Sequence, residues 1–228
     1  GGVRMFIEDP RVKFIINKLS RLSGVYVFMS GKGGVGKSTL SALISLCMLE
    51  KGFRVGLIDL DLTNPTLHLV LGVDIEKAEI VEERGVKPLD VGGLRFFTPA
   101  LFTRDKPLVL KGSHVVEAIR ELLTIVNIEG VDILVVDMPP SVKEEILEVS
   151  RVPSVINVVV ASQDTLGIKS ALRLISLLKD EGVRRIAVIE NFSLTGKPLL
   201  TEGIEGLEFI HLGVLPFDPM VREALGDI

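Results

Sequence analysis

The chain has 228 residues, of which 47% are hydrophobic and one is cysteine, and its formal net charge is −4. This length is enough for one α/β domain with a full core. The negative net charge argues against broad attraction to nucleic acid, so no nucleic-acid partner is expected. The apolar runs are too short and too interrupted to span a membrane, so no membrane partner is expected. A lone cysteine and an amino terminus without a signal-peptide pattern predict a cytoplasmic protein.

The first predicted element is a helix close to the amino terminus. Asp9 and Pro10 read as an N-cap followed by proline at the first helical position. Apolar residues then recur at helical spacing until Gly24 ends the run. We assign residues 1–24 to an amino-terminal helical extension that packs on the edge of the core, and residues 25–228 to one α/β domain.

Strands and helices alternate through the rest of the chain. The predicted strands are residues 25–29, 54–60, 94–98, 133–137, 155–160, 186–190 and 209–214, and the predicted helices are residues 40–51, 115–126 and 165–179. This rhythm predicts a three-layer α/β fold with a mostly parallel, doubly wound sheet. Right-handed crossovers bring the carboxyl ends of the strands to one edge of such a sheet, where ligands bind.

The most informative segment is residues 30–39, SGKGGVGKST, between the first strand and the next helix. Two glycines four residues apart, followed by Lys37 and Ser38, satisfy the phosphate-loop pattern. Glycines let backbone N–H groups approach phosphate oxygens, and the helix start adds its positive dipole end. Lys37 supplies a mobile cation, and the Ser38 hydroxyl can bind Mg²⁺. A glycine-rich turn without a ligand explains the glycines but not these two residues.

We therefore predict that this loop binds a nucleoside triphosphate. The residues expected to touch the nucleotide are Gly31, Lys32, Gly33, Gly34, Val35, Gly36, Lys37, Ser38 and Thr39. Lys32 is a second lysine, five positions before Lys37, and it cannot easily fold back onto phosphates that its own loop wraps. It is either a solvated loop lysine or a residue that reaches the phosphates of a neighbouring subunit, and spacing alone leaves both open.

The chain resembles a known family at this point. The segment SGKGGVGKST is similar to the deviant phosphate loop of the Mrp, MinD, ParA and nitrogenase iron-protein group of dimeric ATPases, and most similar to the Mrp-type iron–sulfur carriers. Residues 135–140 (VVDMPP), 188–193 (VIENFS) and 212–219 (LGVLPFDP) carry the resemblance further, and it runs from about residue 25 to residue 225. It implies that residues 25–228 form a P-loop ATPase domain that binds ATP or ADP with Mg²⁺ as a homodimer. It also implies that Lys32 touches ATP across the dimer interface.

Carboxylates at strand ends are the candidate metal ligands. Asp137 ends an apolar strand, where it can hold a Mg²⁺-bound water beside Ser38, although a turn residue is the alternative. Asp59 and Asp61 flank Leu60 at the end of another strand, and period-two spacing puts both carboxylates on one side.

The resemblance adds roles to these carboxylates. It implies that Asp61 positions the attacking water, so that Lys32, Lys37 and Asp61 form the catalytic set. It also implies that Asp59 joins Ser38 and Asp137 around the metal. The alternative for both Asp59 and Asp61 is the start of a solvated loop, because residues 63–65 read as a turn.

The base site is inferred from the resemblance. It implies that Asn191, after the strand at residues 186–190, hydrogen-bonds adenine. It also implies that the backbone of residues 215–218, which include Pro216 and Asp218, lines the base. A side-chain amide offers the donor and the acceptor that adenine's edge requires. The sequence has no Asn-Lys-x-Asp guanine signature, so ATP is expected rather than GTP.

Two departures from the family pattern qualify these expectations. Ser141 stands where the family has a glycine whose N–H meets the γ-phosphate, so we expect weak hydrolysis or a protein that barely hydrolyses. Residues 192–198 contain no cysteine, where Mrp-type carriers have a Cys-x-x-Cys pair. Cys47 is predicted to be a buried core residue. The three histidines show no metal spacing and are expected to be surface or packing residues: His68, His114 and His211.

These observations favour a Mg²⁺-dependent ATPase of the Mrp type that dimerises around nucleotide. We expect it to serve metal-cofactor assembly with a protein partner, without binding an iron–sulfur cluster itself. The alternative is a positioning or partitioning ATPase similar to MinD or ParA, which grips a membrane or DNA. The net acidic segment 218–228 and the two prolines after Asp137 favour the first reading.

Overall fold

The structure is a computed structural model that describes residues 9–104, 106, 113–140, 147–201 and 206–226. The strands in this part of the chain are β1 Gly24–Met29, β2 Val55–Asp59, β3 Leu89–Val91, β4 Leu94–Phe97, β5 Ile133–Asp137, β6 Val155–Ser162, β7 Ile186–Ser193 and β8 Ile210–Pro216. The helices are α1 Pro10–Leu19, α2 Lys37–Glu50, α3 Leu67–Val70, α4 Ala100–Thr103, α5 Ser113–Ile125, α6 Leu147–Ser150, α7 Thr165–Asp180 and α8 Pro219–Glu223.

The eight described strands form one sheet in the order β3-β4-β2-β5-β1-β6-β7-β8. Every neighbouring pair is parallel except β3 and β4. Strands β2 and β5 are buried at every position, as expected for parallel strands that are covered on both faces. The predicted mostly parallel, doubly wound sheet is confirmed.

A separate hydrophobic cluster covers each face of the sheet. One cluster includes side chains of α1, α5 and α7, and the other includes side chains of α2 and α3. Two helical layers with the sheet between them make the predicted three-layer α/β architecture. None of the described helices has the length and apolar character of a membrane-spanning segment.

Helix α1 joins the first of these clusters. The Asp9 side chain caps it by accepting a hydrogen bond from the Arg11 amide, and Ile15 and Leu19 are buried. The helix packs on α5, and the Lys18 ammonium donates to carbonyls in the last turn of α5. The predicted amino-terminal helix is therefore present, and the domain division at residue 24 stays a prediction.

The structure corrects several local predictions. Strand β7 continues to Ser193, so Asn191 lies inside this strand rather than after it. The three-residue strand β3 and the four short helices were not predicted, because segments of three to five residues carry too little periodicity.

The prediction that Cys47 is buried was wrong, because its side chain is exposed on α2. The helix is apolar almost all round, so its composition did not reveal which face is covered. Cys47 lies about 200° around the axis from the buried Ser45.

Candidate functional site

The candidate site lies at the carboxyl edge of the sheet, where residues 30–36 join β1 to α2. Strand β1 is central, between β5 and β6, so the loop emerges beside the end of β5. The Cα atoms of Asp59 on β2 and Asp137 on β5 are register partners. The fold therefore brings the predicted loop and two predicted carboxylates to one edge.

Close approach of the backbone explains two of the loop glycines. Gly36, which precedes α2, has a φ of 84°, in the left-handed region that favours glycine. A β carbon at Gly36 would lie 2.3 Å from the Asn191 side-chain nitrogen, and one at Gly31 would lie 2.3 Å from the Ser170 carbonyl oxygen. Any larger residue at these two positions would push the loop away from β7 or α7.

Lys37, Ser38 and Asp137 form a polar cluster at the start of α2, in which Lys37 and Asp137 are buried and Ser38 is half-buried. The Lys37 Nζ atom lies 2.7 Å from Asp137 Oδ1, and the Ser38 hydroxyl donates to Asp137 Oδ2 at 2.6 Å. The Lys37 and Asp137 side chains are 7% and 1% exposed. Burial raises the pKa of the Asp137 carboxyl, although the nearby ammonium and hydroxyl act against this rise. The predicted phosphate-binding cation and two predicted metal ligands thus touch one another.

Asp59 lies beside this cluster, and Asp61 lies just outside it. Asp59 is buried, and its carboxylate accepts a hydrogen bond from the Asp61 amide at 2.9 Å. Burial, with a contribution from the Asp137 charge, raises the pKa of Asp59 to about 8. The Asp61 carboxylate accepts hydrogen bonds from the Thr63 hydroxyl and the Asn64 amide, both at 3.1 Å. The structure thus holds Asp61 in a turn of its own loop.

Lys32 forms an ion pair within its own chain. Its Nζ atom lies 3.0 and 3.1 Å from the two carboxylate oxygens of Asp164. Asp164 is the N-cap of α7 and accepts hydrogen bonds from the Leu166 and Gly167 amides. Hydrogen bonds from Ser162 and Gly167 and the pair with Lys32 hold the pKa of Asp164 well below its usual range. The sequence reading missed this partner, which lies 132 residues away.

A cavity of about 580 Å³ opens beside the loop, between α2, β7 and α8. Its lining residues are Gly36, Thr39, Leu40, Leu43, Asn191, Phe192, Leu215, Pro216, Phe217, Asp218, Val221 and Leu225. The Asn191 side-chain nitrogen donates to the Val35 carbonyl at 2.9 Å. The rings of Phe192 and Phe217 meet edge to face with centroids 6.0 Å apart. The structure therefore places the three predicted base-site residues around one apolar cavity.

Sequence reasoning missed the apolar side chains that complete this cavity. Phe192 follows Asn191 in the VIENFS segment, and an aromatic residue beside the amide was the available signal. Val221 lies in α8, and Leu225 lies two residues after the end of this helix. A five-residue helix gave no periodic signal in the sequence. Ser141, on which the expectation of weak hydrolysis rests, lies outside the described residues.

The donor set does not fit an iron–sulfur cluster. Iron–sulfur clusters require several thiolates, and the chain has only Cys47, on α2. In the part of the chain that the structure describes, no group of three or more His, Cys, Asp or Glu side chains is arranged to hold a metal ion. As predicted, the histidines are packing or surface residues: His68 is buried, His211 bonds to Glu190 and His114 is exposed.

A hydroxyl and two carboxylates do fit magnesium. Ser38, Asp137 and Asp59 present oxygen atoms, which this hard cation prefers. Magnesium in phosphate sites is usually held by one or two carboxylates, with substrate phosphates and waters as the remaining ligands. The chemistry of this edge therefore suits Mg²⁺ and not a thiolate-bound cluster.

Comparison with protein families gives a match over most of the chain. Residues 21–223 match the ParA family model, described as NUBPL iron-transfer P-loop NTPase. The chain is 30% identical over 231 residues to the cytosolic Fe-S cluster assembly factor Nubp2 homolog of Drosophila pseudoobscura pseudoobscura, with 91% of this chain and 88% of that protein covered. It is 31% identical over 226 residues to the Drosophila virilis protein of the same name, with 89% and 84% covered.

Solved structures with the same fold include a nucleotide-binding protein and a cell division protein. A nucleotide-binding protein from Archaeoglobus fulgidus in complex with ADP superposes with a TM-score of 0.70 at 22% identity, covering 93% of this chain and 89% of that one. The MinD cell division protein of Aquifex aeolicus superposes with a TM-score of 0.63 at 25% identity, covering 88% and 85%. The first of these likenesses concerns the fold alone.

Proposed function

The chain belongs to the ParA family of NUBPL-type iron-transfer P-loop NTPases, and from that premise we propose that it is a Mg²⁺-dependent ATPase of the Mrp type. We propose that two copies dimerise around ATP and serve the assembly of iron–sulfur proteins without ligating a cluster themselves. The observation that carries this proposal is the hydrogen-bonded cluster of Lys37, Ser38 and Asp137 beside an apolar cavity.

The cluster supports phosphate binding through an exchange of partners. The Lys37 ammonium and the Ser38 hydroxyl both bond to Asp137. A triphosphate offers the ammonium a stronger set of anionic acceptors. Ser38 and Asp137, with Asp59 beside them, would then hold Mg²⁺, which neutralises charge on the phosphates when it is bound.

The cavity supports binding of an adenine base next to these phosphates. It begins at Gly36 and Thr39 of the phosphate loop, so a nucleotide can span from the loop into the cavity. Its aromatic walls, Phe192 and Phe217, suit a flat apolar ring, and the amide of Asn191 supplies polar contacts. We propose that Pro216 and Asp218 complete this base site.

Two further residues complete the catalytic set in this proposal. Asp61 would position the attacking water, since phosphoryl transfer needs positioning and charge neutralisation more than a strong base. Lys32 would leave Asp164 and contact the ATP of the partner subunit. Hydrolysis is expected to be slow because Ser141 replaces the glycine of the family pattern.

The relatives suggest the compartment and the process. The Nubp2 homologues are named cytosolic Fe-S cluster assembly factors, and we propose the same compartment and process for this chain. A homodimer would carry two cysteines, whereas a cluster takes four thiolates or their equivalents. We therefore propose that a protein partner provides the cluster ligands.

Calorimetry with Mg²⁺ and ATP tests the proposed site. We expect the unmodified chain to bind ATP and Lys37→Ala to bind at least about tenfold more weakly, because a hydrogen bond to a charged group contributes about 1.5–3 kcal/mol. Lys51→Ala, at the exposed carboxyl end of the same helix, is the matched control and should bind normally. Circular dichroism checks folding, since Lys37→Ala removes the ion-pair partner of the buried Asp137 carboxylate. Ser38→Ala provides a second, milder variant.

Two results would refute the assignment. One is the absence of heat when the folded, unmodified chain is titrated with ATP or ADP. The other is ATP binding by Lys37→Ala that equals binding by Lys51→Ala. Liposome and DNA pull-downs with and without ATP test the positioning or partitioning alternative, which ATP-dependent binding to either target would favour.

A further inference from the structure

Glu190 is a fully buried carboxylate that the proposed chemistry does not use. It lies in β7 directly before Asn191, its exposure is 0%, and it does not line the cavity. The amides of Leu199 and Leu200 donate to it at 2.8–3.0 Å. The side chains of Gln163 and His211 also bond to it, at 2.5 and 2.9 Å. A buried carboxylate is costly unless such donors surround it.

The donors come from three different parts of the chain. Gln163 follows β6, Leu199 and Leu200 belong to the segment after β7, and His211 lies on the edge strand β8. Gln163 also donates to the Lys197 carbonyl in that segment. Glu190 therefore holds residues 197–200 and β8 against β7 from inside the protein.

The next residue along the strand faces the proposed base site. Successive side chains of a strand point to opposite faces, so Glu190 and Asn191 serve opposite sides of β7. The Asn191 side chain donates to the Val35 carbonyl of the phosphate loop. The backbone carbonyl of Asn191 accepts from the backbone N–H of Gln163 at 3.0 Å. Gln163 thus contacts both Glu190 and Asn191, which links the buried carboxylate to the cavity wall.

Phe192 is held in a conformation that needs such support. Its φ is 61°, a left-handed value that is uncommon for a bulky residue and persists when the surroundings fix it. The hydrogen-bonded Glu190 precedes it by two residues. One residue after it, the Ser193 carbonyl accepts from the Phe217 amide at 3.0 Å. The anchors on both sides place the Phe192 ring against Phe217 at the cavity.

We propose that Glu190 is a positioning residue for the nucleotide base. By holding the segment after β7 and strand β8 in place, it sets the positions of the Asn191 amide and the Phe192–Phe217 wall. Its own donors lie outside the phosphate loop, so we expect it to affect binding of the base more than binding of the phosphates. This inference rests on the proposed nucleotide site and adds to it the residue that controls base recognition.

Glu190→Gln tests this proposal with little change of shape. Glutamine replaces one carboxylate oxygen with an NH₂ group, which would face N–H donors. Some of the surrounding donors would therefore lose their acceptor. We expect affinity for Mg²⁺-ATP to fall about tenfold, while affinity for inorganic tripolyphosphate with Mg²⁺ stays within about twofold of the unmodified chain. We also expect the ratio of ATP to GTP affinity to decrease. A role limited to stability would lower the melting temperature and leave these ratios unchanged.

A matched control and two milder variants accompany the test. The control is Asp132→Asn, which removes a carboxylate just before β5 that accepts several hydrogen bonds from Arg54. It should change the affinity neither for ATP nor for tripolyphosphate. If Glu190→Gln does not fold, Gln163→Ala and His211→Ala each remove one hydrogen-bond donor to Glu190. For each of these variants we expect a smaller loss of ATP affinity and, again, little change in tripolyphosphate affinity.

The outcomes separate this inference from the proposed function. Equal losses of ATP and tripolyphosphate affinity, or no loss of either, in a folded Glu190→Gln protein would overturn the positioning role alone. Failure of the unmodified chain to bind ATP would overturn the proposed function, and the inference with it.

Discussion

Lys37 and Asp137 show how the lysine of the proposed phosphate site is stabilised in a buried position. An isolated ammonium with 7% exposure would be strongly destabilising, and the Asp137 carboxylate at 2.7 Å compensates for it. The same carboxylate also accepts the Ser38 hydroxyl. Nucleotide binding at this site would therefore exchange one anionic partner of Lys37 for another, and would free Asp137 and Ser38 for a metal ion.

The buried carboxyl of Asp59 predicts how stability depends on pH. Its pKa is about 8 in the folded chain, against an ordinary value of 3.8. Between these values the folded state binds a proton that the unfolded state has released. The free energy of unfolding should therefore fall as pH rises from about 4 to about 8 in the nucleotide-free protein. The raised pKa of Asp137 acts in the same direction.

Urea unfolding at several pH values in EDTA, followed by circular dichroism, measures this slope. Asp59→Asn should make the slope shallower without abolishing it, since Asp137 remains. Asp74→Asn is the control, because the pKa of the exposed Asp74 is lowered and it titrates below this range. An identical slope in Asp59→Asn and the unmodified chain would contradict the assignment.

Some of the site was predictable from the sequence because its signal is contiguous. The glycines, Lys37 and Ser38 lie within one ten-residue segment, and their spacing alone predicts a phosphate-binding loop. The partner of Lys32 and the donors to Glu190 were not predictable, because they meet only through the packing of β6, β7, β8 and α7. No local pattern marks Asp164 or His211 as a partner of a particular residue.

At the level of elements, α7 is joined to the phosphate loop by the pair of Lys32 and Asp164. The pair is partly exposed, at 34% and 50% for the two side chains. Such pairs contribute about 0–1 kcal/mol after screening by solvent, so the contact is weak enough to exchange. If Lys32 exchanges Asp164 for another anion, the amino end of α7 and the loop are in position to change together.

Lys32→Ala tests whether this lysine acts between subunits. We expect ATP-dependent dimerisation to weaken more than ATP affinity does, because in the proposed dimer the lost cation would contact the nucleotide of the partner and not its own. Light scattering at matched nucleotide saturation measures the dimer. Lys169→Ala removes an exposed lysine of α7 as the control. Equal dimerisation by both variants would show that Lys32 is an ordinary surface residue.

Asp164→Asn tests the same element from the other side. Asparagine caps a helix about as well as aspartate, so α7 should keep its start while Lys32 loses its anionic partner. If the pair competes with dimerisation, the variant should dimerise at a lower protein concentration, by up to about fivefold for a surface pair. Analytical ultracentrifugation with Mg²⁺ and ATP gives the concentration. A weaker dimer in Asp164→Asn would contradict the competition.

For the whole molecule, the order of the strands in the sheet determines which parts of the candidate site lie next to each other. Strands β1, β2 and β5 bring the phosphate loop and the carboxylates together, and β7 and β8 bring the cavity next to them. The short hydrophobic runs, which alternate with predicted helices along the chain, predicted this sheet, because buried parallel strands are apolar throughout. The antiparallel β3 was not predicted because it is three residues long and, among the described strands, pairs with β4 alone.

The cysteine content of the whole chain predicts the result of cluster reconstitution. A dimer of this chain has two thiolates, fewer than iron–sulfur clusters take, and they lie on the exposed surface of α2. After anaerobic incubation with iron and sulfide and then gel filtration, we expect substoichiometric iron and no cluster absorption. Cys47→Ser should behave in the same way. A stable, stoichiometric cluster in the unmodified chain that is lost in Cys47→Ser would show that two chains share a cluster with other ligands, and would refute a partner-supplied site.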